Sequence, residues 1–194
     1  VKNVSTWGPT QMQYNPQLLI DALIELRQAE TDLGQSETYR YDIIDLSRQV
    51  VANHARTVYE QSMSAFKAKE KKTFEQAKTE FLQLLQLQDK LLSTDKHFLL
   101  GHWLEQAKHY PVDSKDVPLT EKNARLLITI WGPYDPKTKV HDYANKEWSG
   151  LLNDFYLPRW QRFYQDLSQQ MEGKAPEDID YFAMERAWTE QTKA

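Results

Sequence analysis

"ETYRYDIIDLSRQVVANHARTVYEQSMSAF", Glu37 to Phe66, contains neither glycine nor proline. Its apolar residues Ile43, Leu46, Val50, Ala55, Val58, Tyr59, Met63 and Phe66 recur near the 3.6-residue period of a helix, not the two-residue period of a strand. One long amphipathic helix is predicted. A charged stretch follows, with Lys67, Lys69, Lys71 and Lys72 interrupted by Glu70. Then "FEQAKTEFLQLLQLQDKLL", Phe74 to Leu92, carries a second stripe of Phe74, Ala77, Phe81, Leu84, Leu85, Gln88, Leu91 and Leu92. Two long stripes joined by so short a turn predict two antiparallel helices, and these decide the fold class as an all-α helical bundle.

On the N-terminal side, Asn15 is placed as an N-cap with Pro16 at the first helical position, and Leu19, Leu23, Leu26, Ala29 and Leu33 form one face before Gly34. On the C-terminal side, Asp95 is placed to cap "KHFLLGHWLEQAKHY", which must stop near Pro111. "VDSKDVPLT" reads as a loop, and Thr120 caps a helix through Leu126, Leu127 and Ile130 until Trp131-Gly132-Pro133 halts it. A further helix is expected from about Tyr143 to Phe155. Pro158 opens or kinks the next, "RWQRFYQDLSQQM", and Gly173 with Pro176 separates a last one bearing Phe182, Met184 and Trp188. The total is a bundle of about seven helices.

The chain has 194 residues, enough for one single-core domain, with 40% apolar and 27% charged residues. No apolar run approaches the ~20 residues of a membrane span. Net charge is −4 with both signs interspersed, so the basic stripe of a nucleic-acid or anionic-membrane binder is missing. The chain has no cysteine, which excludes disulfides and a thiolate site. "VKNVSTWGPTQMQ" has neither the charged nor the apolar region of a signal peptide, and its polar, Gly-Pro-containing composition reads as a linker over residues 1–13. Residues 14–194 then form a single all-α domain.

Three groups of residues are candidates for chemistry. His102, Glu105 and His109 share one side of a helix, but no fourth ligand stands nearby, and polar residues on an outer face need no metal; no metal or cofactor is expected. Arg40, Asp42, Asp45 and Arg48 alternate in charge at helical spacing, the pattern of intrahelical ion pairs more than of an acid/base couple. The third is "WGPYDPKTKVHDYANKEWSGL", Trp131 to Leu151, which places aromatic residues on a loop closed by Pro133 and Pro136. Aromatic faces stack on the C–H-rich faces of sugar rings, and phenol hydroxyls bond sugar hydroxyls or acetamido groups. Trp131 and Tyr143 are equally readable as sugar contacts or as filling between helices; Trp148, Phe155, Trp160 and Phe163 read as core.

The strings "YRYDIIDLSRQ" from Tyr39, "FLLGHWLEQA" from Phe98, "WGP" at Trp131, "DYANKEWSGL" from Asp142 and "FYLPRW" from Phe155 stand in an order that resembles the C-terminal helical domain of α-N-acetylglucosaminidases, glycoside hydrolase family 89. The resemblance implies a domain packed beside a TIM-barrel catalytic domain of the same polypeptide, in an enzyme that removes terminal α-linked N-acetylglucosamine with retention. Retention needs two carboxyl groups ~5–5.5 Å apart. In the family both are barrel glutamates, so no catalytic residue is expected here and the chain alone is expected to be inactive. Matched string to string, Trp131, Val140 and Tyr143 correspond to positions near the non-reducing-end sugar, while Arg40, Asp42 and Arg159 are read as fixing helix and domain contacts. The loop "YDPKTKVH" is longer and more polar than in the animal enzymes, leaving contacts beyond the first sugar open. Heparan sulfate for animal members and mucin-type or other host glycans for bacterial ones are the substrate classes implied. A secreted or cell-surface bacterial setting is the expected location. The competing expectation is a helical protein-interaction module without a carbohydrate role.

Overall fold

The computed structural model describes residues 12–135, 137 and 144–191. The expected linker lies almost wholly outside the described residues, as do Val140 and Tyr143. Among the described residues there are eight α-helices and no strand, and none of the helices is long and apolar enough to cross a membrane.

The two long helices are α3 (Glu37–Ala68) and α4 (Lys71–Leu92). Between them Lys69 takes a left-handed φ of 59°, and the Lys69 and Glu70 amides return to the carbonyls of Phe66 and Ala65. This ties off the end of α3 and reverses the chain. Phe66 meets Phe74 beside the turn and Tyr59 meets Phe81 further out, so contact ranks rise on one helix as they fall on the other. Ala55, Val58, Ala65, Phe74, Ala77 and Phe81 are buried here together with Tyr164 and Leu167. Ser62 and Tyr164, 0% and 1% exposed, bond to each other at 2.9 Å.

Before these helices lie α1 (Pro16–Gln28) and the single turn α2 (Glu30–Leu33). Asn15 caps α1 by accepting from the Gln17 amide at 3.0 Å, with Pro16 in the first turn as the sequence indicates. The expected stripe is interrupted at Ala29, and neither helix buries a residue fully. Full burial of an aliphatic side chain contributes ~1.5–3 kcal/mol, so α1 is held more weakly than α3 and α4. Gly34 stays right-handed; a Cβ there would stand 2.6 Å from the Glu30 carbonyl oxygen. Close approach, not left-handed freedom, is what requires glycine at this turn.

A second core, around Ile44, Leu92, Phe98, Leu104, Ile128, Leu151, Phe155 and Trp188, gathers α5 (Leu100–His109), α6 (Val117–Leu127), α7 (Leu157–Met171) and α8 (Tyr181–Thr189). Trp160 packs against both cores and joins them.

Three boundaries differ from expectation. Asp95 caps only a 3₁₀ turn over Lys96–Phe98. Ser149 then donates to the Phe98 carbonyl and accepts from the Leu100 amide, and this bridge restarts the helix at Leu100. Helix α6 begins at Val117, after a 3₁₀ turn capped by Asp113, so Thr120 lies inside it and bonds back to the Val117 carbonyl. The expected helix from Tyr143 to Phe155 does not form over the described residues 144–150. Instead a helical run starts at Leu151 and passes through a π turn (Leu152–Tyr156) directly into α7. Pro158 has no N–H and its ring crowds the preceding turn; the widened π turn accommodates it without ending the helix.

Candidate functional site

Helix α6 ends in a buried turn. Ile128 and Ile130 are 3% and 0% exposed, and the wholly buried Thr129 donates to the Arg125 carbonyl at 2.8 Å. The chain then reverses at Trp131, whose amide returns to the Leu126 carbonyl at 2.8 Å and whose φ is 58°. A left-handed backbone is an outlier for so bulky a residue and is kept only where its surroundings impose it. Trp131 is 41% exposed. The buried side chains of this turn are those of Ile128, Thr129 and Ile130.

The described residues on either side of the loop are anchored differently. Downstream of Trp131, Tyr134 is partly buried and donates to Thr189 Oγ1 at 2.7 Å; its ring lies 4.7 Å from Lys122 Nζ and 5.0 Å from Arg186 Cζ. Upstream of α7, residues 144–150 are held by α3 and α4. Glu147 pairs with Arg48 of α3 and accepts from Gln88 Nε2 of α4 at 3.0 Å. Burial opposes the Arg48 charge, but Glu147 and Asp45 outweigh it and raise its pKa. Asp89, 8% exposed, accepts from the Gly150 amide at 2.7 Å, the Asn153 amide at 3.2 Å and Ser149 Oγ at 3.3 Å. It caps the start of the π turn and α7 from across the bundle, where no local side chain does so.

Asp89 and Glu147 are residues that sequence reading passed over. The available signal was Gln88, a polar side chain on an apolar stripe; it is 4% exposed because its partner is Glu147. Trp148 packs on Trp103 at 5.9 Å and Phe155 is 3% exposed, both in keeping with a core role.

The remaining candidates resolve into structural partners. Arg40 donates to the Gly34 and Gln35 carbonyls and ties down the start of α3. Arg159 and Glu185, 1% and 0% exposed at their side chains, form an ion pair at 2.5 Å. Around it the Phe155 and Tyr181 rings face the guanidinium at 5.2 and 5.6 Å. Arg48 pairs with Asp45 at 2.8 Å, and Asp42 is exposed. Glu105 is engaged by Lys108, His109 donates to the Glu105 carbonyl and His102 bonds Gln106. No group of three or more His, Asp or Glu among the described residues is placed to hold a metal.

Residues 2–194 match the family described as alpha-N-acetylglucosaminidase (NAGLU) C-terminal domain. Human alpha-N-acetylglucosaminidase is 35% identical over 168 residues, covering 86% of this chain and 22% of the human protein. A family 89 glycoside hydrolase from Clostridium perfringens in complex with PUGNAc is 32% identical, with a TM-score of 0.91, and covers 99% of this chain and 22% of that one. The Clostridium perfringens enzyme solved in complex with its substrate GlcNAc-alpha-1,4-galactose has a TM-score of 0.90 at the same identity and coverage. The chain thus spans about a fifth of the length of these relatives. With a matching family model over nearly its whole length and the same helical architecture as solved members, this chain belongs to the family of alpha-N-acetylglucosaminidase C-terminal domains.

Proposed function

We propose that this chain is the accessory helical domain of a retaining α-N-acetylglucosaminidase, walling the pocket for terminal α-linked N-acetylglucosamine. Trp131 stacks on the sugar; Val140 and Tyr143, outside the described residues, are the other positions read as substrate-binding. The carboxylates that break the bond belong to a TIM-barrel catalytic domain of the same polypeptide, and the chain alone is inactive. The observation that carries this reading is Trp131 itself: a strained, part-exposed indole on a turn whose apolar neighbours already fill the core. An aromatic face beside the reacting sugar acts by orientation, without touching the scissile bond.

The rival reading, an interaction module, calls for an apolar stripe along one helix. The exposed large apolar residues instead scatter over many elements, among them Leu18 and Ile24 of α1, Leu33 of α2, Tyr41 of α3, Leu87 of α4, Tyr110 and Val112 after α5, and Leu119 and Leu127 of α6. The test is hydrolysis of a chromogenic α-N-acetylglucosaminide. The 194-residue chain should show none, and turnover above a control would place the carboxylates here. In the full-length polypeptide, Trp131→Ala should lower kcat/KM about 10-fold or more, in line with the loss of a positioning contact, with little change in melting temperature. A large stability loss with unchanged kinetics would make Trp131 a core residue.

A further inference from the structure

We infer that Tyr134 is the positioning residue for Trp131, a latch that fastens the loop to α6 and α8 and keeps the indole turned outward; this rests on the reading of Trp131 as a sugar contact. A left-handed tryptophan must be constrained from both sides. On the upstream side the constraint is the Trp131 amide bond to Leu126 and the buried Ile130. On the downstream side only Gly132 and Pro133 separate it from Tyr134. Proline fixes its own φ and pushes the residue before it toward extended backbone, so little slack remains between the two aromatic residues.

Tyr134 is held in three ways. Its hydroxyl donates to Thr189, because Thr189 Oγ1 gives its own proton to the Arg186 carbonyl at 2.8 Å. Thr189 is 1% exposed, a rigid acceptor. Lys122 from α6 and Arg186 from α8 both lie over the phenol ring within cation–π range. Glu190 pairs with both cations, at 3.9 Å to Lys122 and 3.2 Å to Arg186, and so keeps them over the ring. The latch joins two helices to the residue that fixes the loop's path three positions after Trp131.

The test is a mutant cycle in the full-length polypeptide on a chromogenic α-N-acetylglucosaminide, with melting temperature recorded for each variant. Tyr134→Ala should lower kcat/KM about tenfold, while Tyr134→Phe, which keeps the ring under its cations, should lose about twofold. The Trp131→Ala/Tyr134→Ala double variant should be no slower than Trp131→Ala alone, because Tyr134 acts through the indole. Additive losses, or wild-type kinetics in Tyr134→Ala, would overturn the latch while leaving the reading of Trp131 intact. A kinetically silent Trp131→Ala would overturn both. Should Tyr134→Ala fail to fold, Arg186→Met takes its place in the cycle with an expected loss of about twofold. In the 194-residue chain, independently of activity, iodide quenching attributable to Trp131, taken as the difference from Trp131→Phe, should change in Tyr134→Ala. Unchanged quenching would count against the latch.

Discussion

Asp89→Ala is the most informative single change for the architecture behind the loop. The carboxylate sits on α4, yet it accepts the amides of Gly150 and Asn153 and the side chain of Ser149 at the start of the π turn. Alanine removes these bonds and leaves the Gly150 and Asn153 amides without their acceptor. A hydrogen bond to a charged group contributes ~1.5–3 kcal/mol. Two amides, one with a short bond and one longer, give a loss of about 3–5 kcal/mol. At ~2–4 °C per kcal/mol for a chain of this size, the melting temperature should fall by roughly 10 °C. Asp89→Asn keeps the one oxygen that both amides share but loses the charge and turns the other oxygen, which accepts from Ser149 Oγ and Asn153 Nδ2, into a donor, so about half the loss is expected. Circular dichroism melts of the three proteins measure this, and hydrogen exchange at Gly150 and Asn153 localises it. If Asp89→Ala melts within about 2 °C of the unaltered chain, the cross-bundle cap contributes nothing and the account is wrong.

Glu185→Gln uncouples the buried pair with Arg159 and leaves a charged guanidinium among aromatic rings. A loss of about 3–5 kcal/mol is expected, and a thermal or urea melt showing under ~1 kcal/mol would mean the pair is not a closed ion pair. The acid side of the stability profile is set by lowered carboxylates. Burial raises the Glu75 pKa, but hydrogen bonds from Lys78 and Ser168 outweigh it and hold the group below its ordinary 4.5. A depressed folded-state pKa means stability fully present above 4.5 and lost as pH falls through the lower folded value. Glu75→Gln should flatten the melting-temperature profile below that pH, and a superimposable profile would show that Glu75 is not held low.

Local pattern and global packing divide the structure between them. Asn15 and Pro16 announce the start of α1 because capping is satisfied within two residues. The α3 and α4 stripes are legible because their period belongs to the helix and survives whatever packs on it. The missing helix before Phe155 was not legible. Ser149 is committed to Phe98 and Leu100, and Glu147 to Arg48 and Gln88, so contacts from distant segments keep 144–150 out of a helix. Nor was the continuation through Pro158, since a π turn depends on what the widened backbone packs against.

At the site the division is the same. By itself, the sequence determined that the chain is all-α, that its two long helices dominate and that an aromatic, proline-containing stretch follows Ile130. Hydrophobic period and backbone chemistry act over a few residues and can be read in order along the chain. Only the tertiary structure decided that Trp131 is part-exposed while Ile130 is buried, that Tyr134 bonds Thr189 of α8, and that Asp89 caps a helix it does not belong to. Those outcomes depend on side chains meeting across 50 or more positions of sequence, as Tyr134 meets Thr189 and Asp89 meets Gly150. Such pairings leave no periodic trace, because burial and hydrogen bonding are satisfied by proximity in space, whatever the separation along the chain.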